Sequence, residues 1–333
     1  MSSGVKAFAL GRFSGTNGVP FLGVVIQERV IPLDALLGRK TLTPSSSLWL
    51  LLQDWDTAFA QIAAALRTPN DSHPAWMDMN ALTALAPLPD TRQIVCTGAN
   101  YRQHVIDLVV AQGAGAQSEG QSVEQRRAEA AQRVEQRRAT GIPYAFPKLV
   151  SSLCGPVDDI VVPHDATQLD WELELGVVMG RSAWRVPRGR AMDHVAGFLI
   201  VNDVTRRELV YRSDMKSLGS DWLRSKSGPG FMPHGPLFVP AAFVPEPGRL
   251  QIRLELNGQV MQDECTSDML FSIEEQIEYV SAYAQLLPGD ILATGSPAGN
   301  GMHHGRFLQP GDVMRGSITG LGTQINRCIA EEV

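Results

Sequence analysis

Cysteine is scarce in this 333-residue chain. The four present, Cys96, Cys154, Cys265 and Cys328, lie far apart, with no CxxC pair and no histidine at zinc spacing. That pattern excludes a disulfide framework and a zinc ribbon, and it reads as reduced thiols in a cytoplasmic protein. Long hydrophobic runs are missing too. Nothing approaches the ~18 apolar residues of a membrane span, and the opening MSSGVKAFALGRF lacks the charged-then-apolar layout of a signal peptide. Positive charge is nowhere concentrated: the net charge is −6, and no stretch forms the basic stripe of a nucleic-acid binder. The expected partners therefore include neither a membrane nor nucleic acid. What is present is ordinary for a folded protein, 44% hydrophobic and 19% charged, enough for one large domain or two unequal ones.

Local pattern divides the chain. Residues 1–88 predict a small N-terminal α+β domain. FLGVVIQERVIPLDALL alternates like strands, LWLLLQDWDTAFAQIAAALR has helical periodicity, and LAPLPDTRQ then supplies Pro and Asp punctuation. Residues 89–333 predict a mostly β domain, because short apolar runs such as DIVVP, FLIVNDV and LQIRLELNG alternate with Gly and Pro turns. Asn257-Gly258 marks a hairpin. SIEEQIEYVSAYAQLL predicts a helix, with Ser272 and Glu275 at capping-box spacing. Residues 111–140, rich in Ala, Gln, Glu and Arg, predict a flexible first half and an exposed helix in the second. They read either as a solvated insertion or as a lid over a site.

The chemistry concentrates in DWELELGVVMG. In a strand, Asp170, Glu172 and Glu174 share one face. Carboxylates so placed are costly to bury without a counter-charge. A hard divalent cation (Mg²⁺, Mn²⁺ or Ca²⁺) would remove that cost, while a solvated strand face is the competing reading. Asp203 ends an apolar strand in FLIVNDV, where a ligand and a turn starter are equally natural. Lys226 lies in a Gly/Pro loop, a common place for a merely solvated charge. His104 follows a strand and a Gly turn, with Asp107 three residues on; if helical, the two share a face, and a carboxylate there can orient the ring and raise its basicity. His303-His304, on a Gly-rich loop, is ill placed to chelate one ion, and His234, between Pro233 and Gly235, reads as structural.

Seven segments in one order, GANYRQH, FPKLVSSLCGP, DWELELGVVMG, NDVTRRE, KSGPGFMPHGP, LLPGDILATGSPAGNG and FLQPGDVMRGSITGLG, resemble the fumarylacetoacetate hydrolase family from about residue 87 to 327. The branch most similar is that of acylpyruvate hydrolases and 2-hydroxyhepta-2,4-diene-1,7-dioate isomerases. The resemblance implies an α+β, mostly β chain with a mixed β-roll catalytic domain, a divalent metal, usually Mg²⁺, and a homodimer acting on a small 2-oxo acid. It implies Glu172, Glu174 and Asp203 as metal ligands, Lys226 beside the metal, and His104 as general base with Asp107 as its acidic partner. Arg207, Lys148, Ser296 and Tyr101 would contact substrate. Asp170 is not among the implied ligands. Three departures touch substrate recognition: Thr97 stands where fumarylacetoacetate hydrolase itself has a further Asp, Val210 where many relatives have Gln, and the 111–140 insertion is longer than many lids. The implied reaction is hydrolysis of a C–C bond in a 2,4-dioxo acid, giving a 2-oxo acid such as pyruvate, in catabolism of aromatic or sugar-acid compounds. The same enolate chemistry also serves isomerases, tautomerases, oxaloacetate decarboxylases and hydratases. A non-catalytic metal-binding protein is the reading from another class.

Overall fold

The computed structural model describes residues 6–38, 47–67, 73–111 and 122–332. Strands outnumber helices, and the chain is a mixed, strand-dominated α+β fold. One long sheet runs in the order Met77–Asp78, Arg29–Pro32, Pro20–Ile26, Ala9–Ser14, Leu237–Pro240, Val195–Asn202, Leu173–Met179, Ile291–Ala293, Ile94–Gly98, Tyr144–Lys148. Among the described residues, only Ile291–Ala293 and Ile94–Gly98 pair in parallel within it. A second sheet of five strands carries Gln259–Cys265, Gln251–Leu256, Val313–Ile318, Gly322–Ala330 and Ile160–Val162. N-terminal and C-terminal segments meet in the long sheet, where Leu10 faces Phe238 across the Ala9–Ser14 and Leu237–Pro240 pair.

Every residue of Leu173–Met179 is buried, as is every residue of Val195–Asn202. Leu173, Leu175, Val177 and Met179 enter one core cluster, and Val178 packs with Ile291, Leu199 and Phe238 in another. Such apolar side chains contribute about 1.5–3 kcal/mol each when fully buried. The strand is therefore fixed on both faces, which is what allows it to position polar groups at its end.

Local signals translated directly into structure. Asn257 and Gly258 take φ of 53° and 81° between paired strands, the left-handed backbone a two-residue hairpin turn demands. The helix Ile273–Tyr283 is capped by Ser272 and Glu275 in a reciprocal box. Three expectations need correction. LDALL forms the helix Leu33–Leu37, closed by Gly38 at φ 64°, rather than continuing a strand. The helical stretch near residue 50 is two helices, Leu48–Leu52 and Trp55–Ala65. His303 and His304 sit in a short helix, Gly301–His304, rather than a loop. In the insertion, Val123–Thr140 is helical, capped by a Ser122/Gln125 box. It is not wholly solvated, for Ala130 and Val134 are buried, Val134 against Leu270 and Phe271. The expected flexible first half falls largely outside the described residues.

Candidate active site

The acid-bearing segment is not one continuous strand. Leu169–Asp170 pairs with Thr205–Arg206 as a separate ribbon, and the ladder resumes at Leu173. Side-chain groups fill the gap: Asn202 Oδ1 accepts from the Glu172 N–H at 2.9 Å, and Gln262 Oε1 from the Leu173 N–H at 3.1 Å. The interruption separates Asp170 from the other two acids. Asp170 accepts from the backbone N–H groups of Gly301 (2.5 Å) and Met302 (3.2 Å) and from Arg207 Nε (2.8 Å). These donors make it an anchor between the Gly301–His304 helix and Arg207.

Glu172, Glu174 and Asp203 do converge. All three are buried, with one oxygen from each lying within 4.8 Å of the others. Asp203 reaches this point because the Val195–Asn202 strand pairs with Leu173–Met179, Asn202 opposite Leu173. Three cations surround the acids. Lys226 Nζ donates to Glu172 Oε2 and Asp203 Oδ2, both at 2.6 Å, and to Thr205 Oγ1 at 2.8 Å. Lys148 Nζ donates to Asp203 Oδ1 at 2.5 Å and to the Phe231 carbonyl at 2.8 Å. Arg207 Nη2 donates to Glu172 Oε1 at 2.5 Å.

The charges do not cancel. Asp170, Glu172, Glu174 and Asp203 face Lys148, Lys226 and Arg207, four acids to three bases. Among the described residues, Glu174 is left with the Gly295 N–H at 2.7 Å as its hydrogen-bond donor and no cation bonded to it. Gly295 can aim that N–H because its φ is +97°, in the region glycine favours. Burial, then Asp203 and Glu172 beside it, push the Glu174 carboxyl well above the usual carboxylate range. Burial opposes ionisation of Glu172 as well, but Arg207 and Lys226 outweigh it and hold its pKa far below the usual value. Burial likewise opposes the charge on Lys226, and Asp203 and Glu172 outweigh it, so the ammonium is retained. A divalent ion at Glu174 would supply the missing positive charge, and an all-oxygen donor set suits a hard cation. The residues present therefore fit the metal.

These groups open into a cavity of about 620 Å³. Glu172, Glu174, Asp203, Lys226, Arg207, Ser296 and His104 line it. Ser296 Oγ accepts from Gln262 Nε2 at 3.0 Å. His104, on the helix Arg102–Ala111, is neutral at pH 7, because burial lowers its pKa to about 4. No hydrogen bond joins His104 to Asp107 among the described residues. Asp107 Oδ1 instead takes Gln103 Nε2 at 2.8 Å and Arg127 Nη2, from the Val123–Thr140 helix, at 2.9 Å. At 100° per residue a position three later is roughly 60° off the first, whereas one four later is roughly 40° off on the other side. Leu108 shares the cavity wall with His104, and Asp107 does not.

Two expected substrate contacts are also placed elsewhere. Lys148 is buried beneath Asp203 and does not line the cavity. Tyr101 is fully buried, packed in the core and bridged to Met269. Conversely, sequence reasoning missed Tyr144 and Phe146, which line the cavity. They precede Lys148 at strand spacing, i−4 and i−2, so period-2 alternation was a usable signal. It also missed Thr205, which holds Lys226. His304 and His234 are held by backbone groups. His304 Nε2 meets the Met261 carbonyl at 3.1 Å. His234 Nε2 accepts from the Leu88 N–H at 3.2 Å, and its Nδ1 faces the Cys154 carbonyl at 3.0 Å.

A family model described as fumarylacetoacetate (FAA) hydrolase C-terminal matches residues 93–329. The chain belongs to the fumarylacetoacetate hydrolase family. Within that family it is 34% identical over 250 residues to a mitochondrial oxaloacetate tautomerase of Bos taurus, covering 74% of this chain and 70% of the relative. Among solved structures, fumarylacetoacetate hydrolase from Exiguobacterium antarcticum matches with a TM-score of 0.74 and 27% identity, over 98% of this chain and 100% of the other. Maleylpyruvate hydrolase from Sphingobium sp. SYK-6, solved also with manganese(II) and pyruvate, matches at 0.72 and 25%, over 97% and 100%. The family's members include hydrolases, isomerases and tautomerases, so the expected fold holds and the chain belongs to a family of enzymes. No described helix is long and apolar enough to cross a membrane.

Proposed function

We propose that the chain is a metal-dependent hydrolase that cleaves an acylpyruvate to pyruvate and a carboxylic acid. The observation that carries this is the shared cavity: a buried, under-neutralised carboxylate triad and a neutral, buried histidine line the same space. Glu172, Glu174 and Asp203 would hold the ion, Mg²⁺ or Mn²⁺. Bound there, it supplies Lewis acidity toward the oxygens of a 2-oxo acid.

The chain's own residues do the rest. Lys226 stays protonated between Glu172 and Asp203 and offers fixed positive charge where negative charge develops on the 2-oxo group. Thr205 holds that ammonium in place. Arg207 and Ser296 would orient the carboxylate end. His104, free of a proton at pH 7, would take one from water as the water oxygen adds to the distal carbonyl carbon. The C–C bond then breaks, its electron pair passes to the pyruvate fragment as an enolate, and the proton held at His104 returns to the products.

The test is a coupled assay for pyruvate release from acylpyruvates with Mg²⁺ or Mn²⁺. One acid per pyruvate, lost with EDTA, supports the proposal. The geometry at Asp107 favours one second reading, enol–keto tautomerisation of a 2-oxo acid. A histidine without an acid partner suffices to carry a proton between carbon and oxygen, and needs no water. Loss of enol absorbance from oxaloacetate without pyruvate would select that reading. For assembly we propose a homodimer, supported by the exposed apolar side chains of Leu218 and Leu223, 73% and 64% accessible; a monomeric mass by light scattering would overturn it.

A further inference from the structure

The cavity wall away from the carboxylates is apolar. Leu108, Tyr144, Phe146, Val210, Tyr211 and Trp222 form it. Phe146 and Trp222 stack with centroids 4.6 Å apart and planes 15° apart. The Trp222 indole N–H donates to the Tyr144 hydroxyl at 2.6 Å, which fixes the ring and occupies its donor. This surface begins beside the reacting end, for Lys226 Nζ lies 5.5 Å from the Phe146 ring centroid. Neutral groups, Gln168 and Ser220 among them, complete the lining.

Free positive charge is what this wall lacks. Among the described residues that line the cavity, the lysines and arginines are Arg207 and Lys226, and carboxylates already engage both. Residues 112–121, outside the described set, contain no Lys or Arg. Arg137 approaches the rim and donates to the Ala99 carbonyl at 2.7 Å. Its guanidinium, however, lies 5.6 Å from the Phe271 ring centroid and does not line the cavity. A carboxylate on the distal arm of a substrate would lose hydration here and gain no counter-charge. An aromatic ring would gain burial and stacking, in a cavity of the size that encloses ring-sized ligands.

We propose that the site selects 2-oxo acids with a single carboxylate and an apolar, ring-sized acyl group lying against Phe146 and Trp222, and rejects acylpyruvates whose acyl arm ends in a second carboxylate. The proposal rests on the acylpyruvate reading above. The first experiment compares benzoylpyruvate with fumarylpyruvate, using the full chain with Mn²⁺. The expected kcat/KM is at least tenfold higher for benzoylpyruvate, and parity or the reverse overturns the proposal. If neither is cleaved, the hydrolase reading fails, and calorimetry then tests selection separately. Phenylpyruvate should bind the Mn²⁺-loaded protein at least tenfold more tightly than 2-oxoglutarate, and the opposite order overturns the proposal whatever the reaction. Trp222→Leu should reduce the benzoylpyruvate-to-acetylpyruvate ratio at least fivefold; an unchanged ratio overturns the stacking assignment. Arg137→Gln should leave the benzoylpyruvate-to-fumarylpyruvate ratio as it is. A tenfold selective loss on fumarylpyruvate would make Arg137 the missing counter-charge and overturn the proposal.

Discussion

The carboxylate cradle and the His104 helix face the same cavity but are built differently. Glu172 and Glu174 stand at the end of a strand buried along its whole length, flanked by Val195–Asn202 and Ile291–Ala293. Two buried lysines, the partly buried Arg207 and the Gly295 N–H hold the cradle. His104 rides on a ten-residue helix packed against Val123–Thr140. The polar ties there include Arg127–Asp107, with Arg127 47% exposed, and the exposed pair of Arg102 with Glu135. Half-exposed ion pairs are worth about 0–1 kcal/mol. The groups that would decide what binds belong to the core, while the group that would decide what happens next sits on an element cheap to displace.

The largest effect should come from breaking the cradle. Glu174→Gln removes an acid crowded by like charge, so turnover should fall by at least ~10³-fold, the scale of losing one centre of electrostatic stabilisation. The same change should raise the melting temperature of the metal-free protein and abolish the further rise on adding Mn²⁺. The pH sign follows from the raised Glu174 pKa. Folded protein binds a proton there that unfolded chain releases, so metal-free stability falls as pH rises above the ordinary glutamate value. Urea titrations with and without Mn²⁺ check this, since bound metal should remove that slope.

His104→Ala should cost ~10²–10⁴-fold in hydrolysis, with Mn²⁺ affinity unchanged by calorimetry. Equal loss of metal affinity would erase the distinction between the two regions. Arg127→Ala should change kcat by less than about tenfold, in line with the small worth of such a pair. A larger loss, with KM unchanged, would show that the helix pair positions the base.

The smallest effect on turnover should come from His234, remote from the chemistry. Burial lowers its pKa from 6.5 to about 4. Between those values the unfolded state binds a proton that the folded state refuses, so stability falls as pH drops from 6.5 to 4. The loss is on the order of 3 kcal/mol. His104 shares the direction, so His104→Ala should remove its share of the loss between pH 7 and pH 4.5 and leave the His234 share in place.

Features set by neighbouring residues were legible in the sequence: the Asn257-Gly258 turn, the Ser272 cap, and the acids of DWELELGVVMG with their partner Asp203. Features set by packing were not. Lys148 shares a strand face with the cavity-lining Tyr144 and Phe146, and its ammonium ends beneath Asp203 because Asp203 and the Phe231 carbonyl, distant in sequence, bond it there. The break at Trp171–Glu172 depends on Asn202 and Gln262 supplying hydrogen bonds from 30 and 89 residues away. Asp107 was legible as an acid near His104, but its engagement by Arg127 depends on how the later helix docks.

The pairing of Ala9–Ser14 with Leu237–Pro240 bears on how the chain can be divided. A fragment limited to the family-matched residues 93–329 would expose the backbone edge of Leu237–Pro240 and the apolar surface of Phe238 that Leu10 and Leu22 now cover. A raw, apolar sheet edge is a template for pairing with another copy. The first strand thus works as a permanent stopper on a self-associating edge, and a shortened enzyme would be expected to precipitate before its chemistry could be measured.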